Sequence, residues 1–207
     1  MDLLRAGYKC PIYVFPIVIP FKDYECEPNK EIIKKYSDDR TNILFVGRLS
    51  PNKKVEDVIH AFAIYKRFYD PNARLFLVGS DAVEPYKEYL IDYINETKVD
   101  DIIFTGSVSF PDLLAYYSVS SAFVCMSEYE GFCLPLLEAM LFNVPIIAYN
   151  SSAVPYTLKD SGILINRKDF PLIAGWINRI INDSLLRNDV LNKQRVQLRF
   201  IKMSKAK

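Results

Sequence analysis

Two stretches of this chain carry residue types able to hold a charged, elongated ligand. In SEYEGFCLPLLEAM (127–140), Glu130 and Glu138 have seven residues between them, and Gly131, Phe132, Cys133 and Leu134 lead from the first carboxylate to Pro135. With Pro135 in the first turn of a helix, Gly131 to Leu134 can present successive backbone N–H groups to an anion, while Glu138 stands near the top of the helix. At about 1.5 Å rise per residue the two carboxylates lie on the order of 10 Å apart. That is too far for an acid–base pair over one bond and suits the two ends of one ligand. In GRLSPNKK (47–54), Gly47 permits a tight turn, and Arg48, Lys53 and Lys54 set cations around the start of the next helix, which together make a phosphate seat. With one glycine it is neither a P-loop nor a GxGxxG fingerprint. Each stretch also has a plainer reading: carboxylates that complement a helix dipole, and a solvated basic turn.

The elements that must position these residues follow from periodicity. Residues 42–48, 74–80, 101–107, 121–127 and 144–150 are short runs rich in β-branched and aromatic residues, each ending in a small or polar residue, as buried strands do. Helical patterns fill 54–69, 84–97, 111–117, 134–142 and 169–182. The alternation predicts an α/β fold, a Rossmann-like doubly wound parallel sheet whose ligands bind beyond the carboxyl ends of the strands, from Gly47, Gly79, Gly106 and Ser127 onward. In the helix after Glu130, Leu134, Leu137 and Leu141 are expected to pack on the sheet.

Composition narrows the function. Half of the 207 residues are apolar, enough for a sizeable core, and the formal charge of +1 advertises no nucleic acid as partner. Cys10, Cys26, Cys125 and Cys133 form no CxxC pair, so free thiols in a reduced compartment are expected, and no metal cluster is visible. No apolar run spans a bilayer, and MDLLRAGYKC lacks the order of a signal peptide, which predicts a cytoplasmic location. Residues 1–40 read as a connection with a strand, a loop and a short helix, 41–185 as the Rossmann-like domain, and 186–207 as a basic C-terminal helix or tail. From Arg187 onward that tail holds seven basic residues against Asp189; it is either a solvated helix end or a contact to the anionic inner face of a membrane. The single histidine, His60, lies in a helical pattern and reads as structural.

The combination of FVGRLSPNKK, LFLVGS, IIFTGSV and SEYEGFCLPLLEAM, in that order at strand ends, resembles the C-terminal domain of retaining GT-B glycosyltransferases of the large family 4, or group 1. The resemblance runs from about residue 40 to 182, nearly the whole expected sheet. It implies a catalytic set of Arg48 and Lys53, which neutralise the departing diphosphate, and Glu130, which with N–H groups around Phe132 to Leu134 grips the sugar hydroxyls and distal phosphate. It further implies that Glu138 accepts from the ribose hydroxyls, that backbone near Gly106 to Val108 borders the base, and that Gly47, Ser80, Gly131 and Cys133 line the nucleotide-sugar site. The donor implied is a UDP-, GDP- or ADP-sugar, with no cofactor and no metal, because the basic pair does the neutralising.

Departures from the family pattern are Ser80, where many members carry a further glycine; Tyr156, where many carry Glu; and Lys159-Asp160, where small residues are common. GT-B enzymes close two Rossmann-like domains over the donor, the acceptor sitting mostly on the N-terminal one. This chain is therefore expected to be a donor-binding part, inactive or nearly so alone, that works on a saccharide or lipid-linked acceptor once the second domain is present. A GT-B-like epimerase or phosphorylase half and a flavodoxin-like interaction module are the alternatives. The paired-glutamate spacing argues against the first, and the module would need neither Arg48-Lys53 nor Glu130-Glu138.

Overall fold

The computed structural model describes residues 5, 7–11, 19–80 and 84–204. Six strands, β1 (Asn42–Val46), β2 (Arg74–Val78), β3 (Ile102–Gly106), β4 (Ala122–Cys125), β5 (Ile146–Tyr149) and β6 (Ile163–Ile165), form one sheet in the order β3-β2-β1-β4-β5-β6, every pair parallel. The helices are α1 (Lys30–Tyr36), α2 (Val55–Phe68), α3 (Glu84–Thr97), α4 (Phe110–Ser118), α5 (Leu134–Leu141), α6 (Val154–Leu158), α7 (Phe170–Asn182) and α8 (Ser184–Ser204). The expected Rossmann-like layout is thus present, with β6 and α6 added. GILI is too short to carry a period, and VPYTL too short to show a helical face, so neither was legible beforehand.

Strand side chains alternate between two apolar layers. Ile43, Phe45, Leu75, Leu77 and Val124 pack under α2, α3 and α7, with Phe62 and Tyr65 of α2 fully buried. Leu44, Phe76, Phe123, Cys125 and Ile146 face α4, α5 and α6. Burial on both faces explains why the strands read as continuous apolar runs. Each large side chain removed from water adds about 1.5–3 kcal/mol to this core.

The packing of α5 differs from expectation. Its sheet-facing residues are Leu136, Ala139 and Met140, whereas Leu137 and Leu134 turn the other way, toward Ile19, Phe21, Leu198 and Ile201. The helix is apolar almost all round because it is covered on both sides, and periodicity alone could not choose its inner face. The covering layer includes α8, which starts ahead of the expected boundary at 186 and docks on the domain: Gln194 Nε2 donates to Val144 O at 3.1 Å and Arg187 Nη1 to Ser121 O at 2.9 Å. Other cations of α8 are also engaged, Lys193 with Asp189 and Arg195 with Asn143. The expected strand in residues 1–40 falls largely on 12–18, outside the described residues; the short helix of that segment is α1, capped by the Asn29 side chain. His60 stacks on Phe170 with ring centroids 4.2 Å apart, the packing of a structural histidine. Among the described residues no helix is long and apolar enough to cross a membrane.

Candidate functional site

The chain runs outward from β1 to β3, then crosses back to place β4 on the other side of β1. Where strand order reverses, the loops after β1 and β4 separate and leave a crevice, the place at which doubly wound sheets take ligands. The basic stretch lies on one of these two loops and the acidic stretch on the other.

Three strand ends form the crevice's nearer rim. Gly47 N donates to Val78 O at 2.9 Å, Leu49 N to Ser80 O at 2.9 Å, and Gly79 N to Gly106 O at 3.1 Å. Gly79 is a position that no side chain could occupy: a Cβ there would sit 2.1 Å from the Gly47 carbonyl oxygen, and its φ is +144°. The register slips by one residue between β2 and β3 at Leu77/Val78, which leaves Thr105 unpaired and brings Gly106 to φ +67° ahead of half-buried Val108. After Leu49 a single tight turn, Pro51–Lys53, and Lys54 in a left-handed conformation (φ 51°, ψ 50°) lead into α2. Arg48 is exposed at the mouth of this loop.

The loop after β4 is tied to the first one. Glu128 N donates to Asn52 O at 2.9 Å and Asn52 Nδ2 to Tyr129 O at 3.3 Å; between these ties the Lys53 ammonium meets Glu130 Oε1 at 2.7 Å. The pair is largely shielded, the side chains being 21% and 8% exposed. The loop after β5 braces the same turn: Ser151 and Ser152 donate to the carbonyls of Ser127 and Glu128 at 2.5 and 2.6 Å, and Thr157 to Phe132 O at 2.6 Å. Behind it, Lys168 bridges Asp57 at 2.6 Å and Glu128 at 2.7 Å, and this ammonium holds the Glu128 carboxyl below its usual range. Gly131 is exposed, Cys133 is left-handed (φ 61°, ψ 66°), and Pro135 lies in the first turn of α5 as expected.

Glu138 is not the open residue that its spacing suggested. It is 5% exposed, with Oε1 accepting from Tyr24 Oη and Oε2 from Tyr117 Oη, both at 2.8 Å. Burial raises its pKa despite the two phenol hydrogen bonds, which act the other way. Tyr117 also titrates well above its ordinary value, from burial and from the facing carboxylate. Tyr24 comes from the polar stretch before α1 and rests edge-on against Phe110, centroids 5.1 Å apart. Both oxygens of the Glu138 carboxyl are thus already engaged by phenols.

A further grouping joins Cys125, at the end of β4, to Cys133, at the start of α5. Their Sγ atoms are 3.9 Å apart in the buried layer, and one ligating atom each from Cys125, Cys133 and Glu130 lie within 4.8 Å of one another. The shared hydrogen bond lowers the Cys125 thiol and raises that of Cys133. No metal cluster was visible in the sequence; among the described residues the strand–loop–helix turn brings these three side chains together. Cys10 and Cys26 are exposed free thiols.

The family pattern of glycosyl transferases, group 1, matches residues 27–197, most of the chain. The chain belongs to this family. It is 29% identical over 189 residues to the capsular polysaccharide biosynthesis glycosyltransferase CapM of Staphylococcus aureus, covering 88% of this chain and 48% of the relative. It spans about half or less of the length of the curated relatives it matches. In fold it resembles Anabaena Alr3699/HepE, solved in complex with UDP-glucose (TM-score 0.71, 21% identity, 87% of this chain and 52% of the other). It also resembles the C-terminal domain of the group 1 protein LpcC from Francisella tularensis (TM-score 0.69, 24% identity, 84% of this chain and 94% of the other). The expected relationship to the C-terminal domain of GT-B enzymes is borne out.

Within this group 1 domain, the residues singled out from sequence fall into several places. Gly47, Ser80 and Gly106 lie at the bonded strand ends of the rim with half-buried Val108 just beyond, Arg48 is exposed beside them, and Lys53 meets Glu130 between β1 and β4. Gly131 is exposed, whereas Cys133 packs in the buried layer with Cys125, and Phe132 and Leu134 pack on the outer side of α5. Glu138 lies beneath, under its two tyrosines. Asn52, Ser151, Ser152, Thr157, Tyr24 and Tyr117 were not anticipated, because each acts through a partner far away in the chain. Tyr156, one of the departures, is 80% exposed.

Proposed function

We propose that this chain is the donor-binding part of a retaining glycosyltransferase that moves a hexose from a nucleoside diphosphate to a saccharide or lipid-linked acceptor. The observation that carries the reading is the Lys53–Glu130 pair at 2.7 Å, a matched cation and carboxylate spanning the point where strand order reverses. A diphosphate entering here finds Arg48 at the mouth and Lys53 within, each charge-assisted contact worth roughly 1.5–3 kcal/mol. As it displaces Glu130 from Lys53, the carboxylate is freed to accept from sugar hydroxyls. The base lies along Gly106 to Val108 and the ribose toward Glu138, where Tyr24 gives way. No cofactor or metal is required for that step.

In the transfer itself the bond from anomeric carbon to phosphate oxygen breaks, and the nucleoside diphosphate leaves with the electron pair, stabilised by Arg48 and Lys53. The acceptor oxygen bonds on the same face, and its proton passes to the departing phosphate oxygen. Holding that oxygen within about 3–3.5 Å of the anomeric carbon needs a second wall, which the resemblance assigns to an N-terminal domain. These residues alone then give slow donor hydrolysis at most. Relatives named for capsular polysaccharide and O-antigen chains support a saccharide acceptor.

Calorimetric titration of the chain with uridine, guanosine and adenosine diphosphates and their sugars tests the reading. Binding of one base class is expected, weakened with a strong salt dependence in Arg48→Ala and Lys53→Ala. Absence of heat for all three diphosphates at millimolar concentration defeats it. Rapid multiple-turnover transfer by this chain alone would defeat the need for a second wall.

A further inference from the structure

The thiols of Cys125 and Cys133 take no part in the donor reading, yet the placement of Cys133 is costly. Cys133 holds a left-handed backbone at φ 61°, a conformation that costs a side-chain-bearing residue about 1–2 kcal/mol and that glycine would adopt freely. That conformation is found together with an Sγ 3.9 Å from the Sγ of Cys125, in a layer where Cys125 is 3% and Cys133 5% exposed.

The spacing has a chemical reading. Two thiolates on one tetrahedral ion, each about 2.3 Å from the metal, stand about 3.8 Å apart. The third atom, a carboxylate oxygen of Glu130, lies within 4.8 Å of both sulfurs. Lys53 already donates to Glu130 Oε1, which leaves the other oxygen for an ion and fixes the carboxylate from outside, as hydrogen bonds to ligating carboxylates do.

Charge balance agrees. With both thiols protonated, Lys53 and Glu130 cancel. With both deprotonated, two thiolates and one carboxylate are cancelled by a divalent ion and the Lys53 ammonium, so the buried group is neutral in either state. Loading releases two protons to solvent and changes no oxidation state. The ion enters from the crevice, past Lys53 and exposed Gly131.

We propose that Cys125, Cys133 and Glu130 form a three-ligand site for a thiophilic divalent cation of the zinc class, its fourth position open to the crevice. The site needs only these three side chains and does not depend on the donor reading.

The test uses cadmium, whose thiolate complexes absorb in the ultraviolet, on the reduced chain with the exposed cysteines removed (Cys10→Ser, Cys26→Ser). One cadmium per chain is expected, with two protons released and zinc competing for the same site. Glu130→Gln should weaken binding by ten-fold or more, and Cys125→Ser should abolish the thiolate band. Cys133→Gly, which suits the left-handed backbone, should abolish the two-thiolate spectrum while its metal-free melting temperature is kept or raised. Absence of the band in the background chain overturns the proposal. So does a band retained in Cys125→Ser or in Cys133→Gly, or an affinity that Glu130→Gln leaves unchanged.

Discussion

The Lys53 ammonium and the Glu130 carboxylate, 77 positions apart in the chain, meet at 2.7 Å across the gap between β1 and β4. Both side chains are largely shielded, so the pair ties the two loops together.

A double-mutant cycle on Lys53→Met and Glu130→Gln should return a coupling of about 1–2 kcal/mol in urea unfolding, more than an exposed pair gives. In ligand titrations the two changes should part. Lys53→Met should weaken nucleoside diphosphate binding by about ten-fold or more, the loss of one charge-assisted contact. Glu130→Gln should leave the diphosphate as tight or tighter, because a repelling carboxylate is gone, and remove any preference for the sugar-bearing donor. Equal losses in both would show that the loops have simply come apart.

Gly79→Ala should be among the most damaging small substitutions in the chain. A methyl group 2.1 Å from the Gly47 carbonyl oxygen must force β1 and β2 apart at the rim of the crevice. A loss of about 3 kcal/mol or more is expected in denaturant unfolding, together with loss of diphosphate binding. Gly131→Ala, with open space around its Cβ, is the control and should stay within about 0.5 kcal/mol. Similar midpoints for the two variants would refute the close approach.

The buried Glu138 carboxyl sets a pH dependence. Its folded pKa is raised above the ordinary 4.5 by burial, so the native state holds this proton more tightly than the unfolded chain does. The contribution is fully present below 4.5 and is lost as pH climbs from there through the raised value. Melting temperatures of the wild type and Glu138→Gln, compared across that window, should therefore shift against the wild type as pH rises. A difference that does not move with pH would mean that the carboxyl titrates normally.

Tyr24→Phe removes one of the two hydroxyls on Glu138 without emptying its place against Phe110. Stability should fall by about 1–3 kcal/mol, the cost of leaving a buried carboxyl oxygen without its hydrogen bond. Affinity for uridine or guanosine should rise, since the ribose no longer competes with a phenol. Weaker nucleoside binding would instead make Tyr24 a direct ligand contact.

Periodicity disclosed five strands and five helices because each is long enough to complete a pattern, and buried parallel strands carry uninterrupted apolar runs. It missed β6 and α6, which are three and five residues long, and misjudged the inner face of α5, whose surface is apolar on both sides. GRLSPNKK and the paired glutamates stood out in the sequence because glycine, cations and carboxylates at strand ends are local signals, but their spacing did not show that Glu138 is buried under two phenols. Tyr24 did not stand out: nothing in KDYECEP announces a hydroxyl that ends on a carboxylate 114 positions away.

Residue types and their order by themselves determined that this chain is a doubly wound α/β domain with a basic turn after its first strand and two spaced carboxylates, since backbone propensity and burial act over a few residues at a time. Only the tertiary structure decided which strand ends are neighbours. Reversal of strand order beside β1 set Lys53 against Glu130 and left Arg48 at the mouth, a choice made by packing helices on both faces of one sheet. The same folding turned Glu138 inward against Tyr24 and Tyr117 and brought Cys125 to Cys133. Contacts of that kind arise when distant segments are pressed into one close-packed interior, and no short-range pattern in a chain records them.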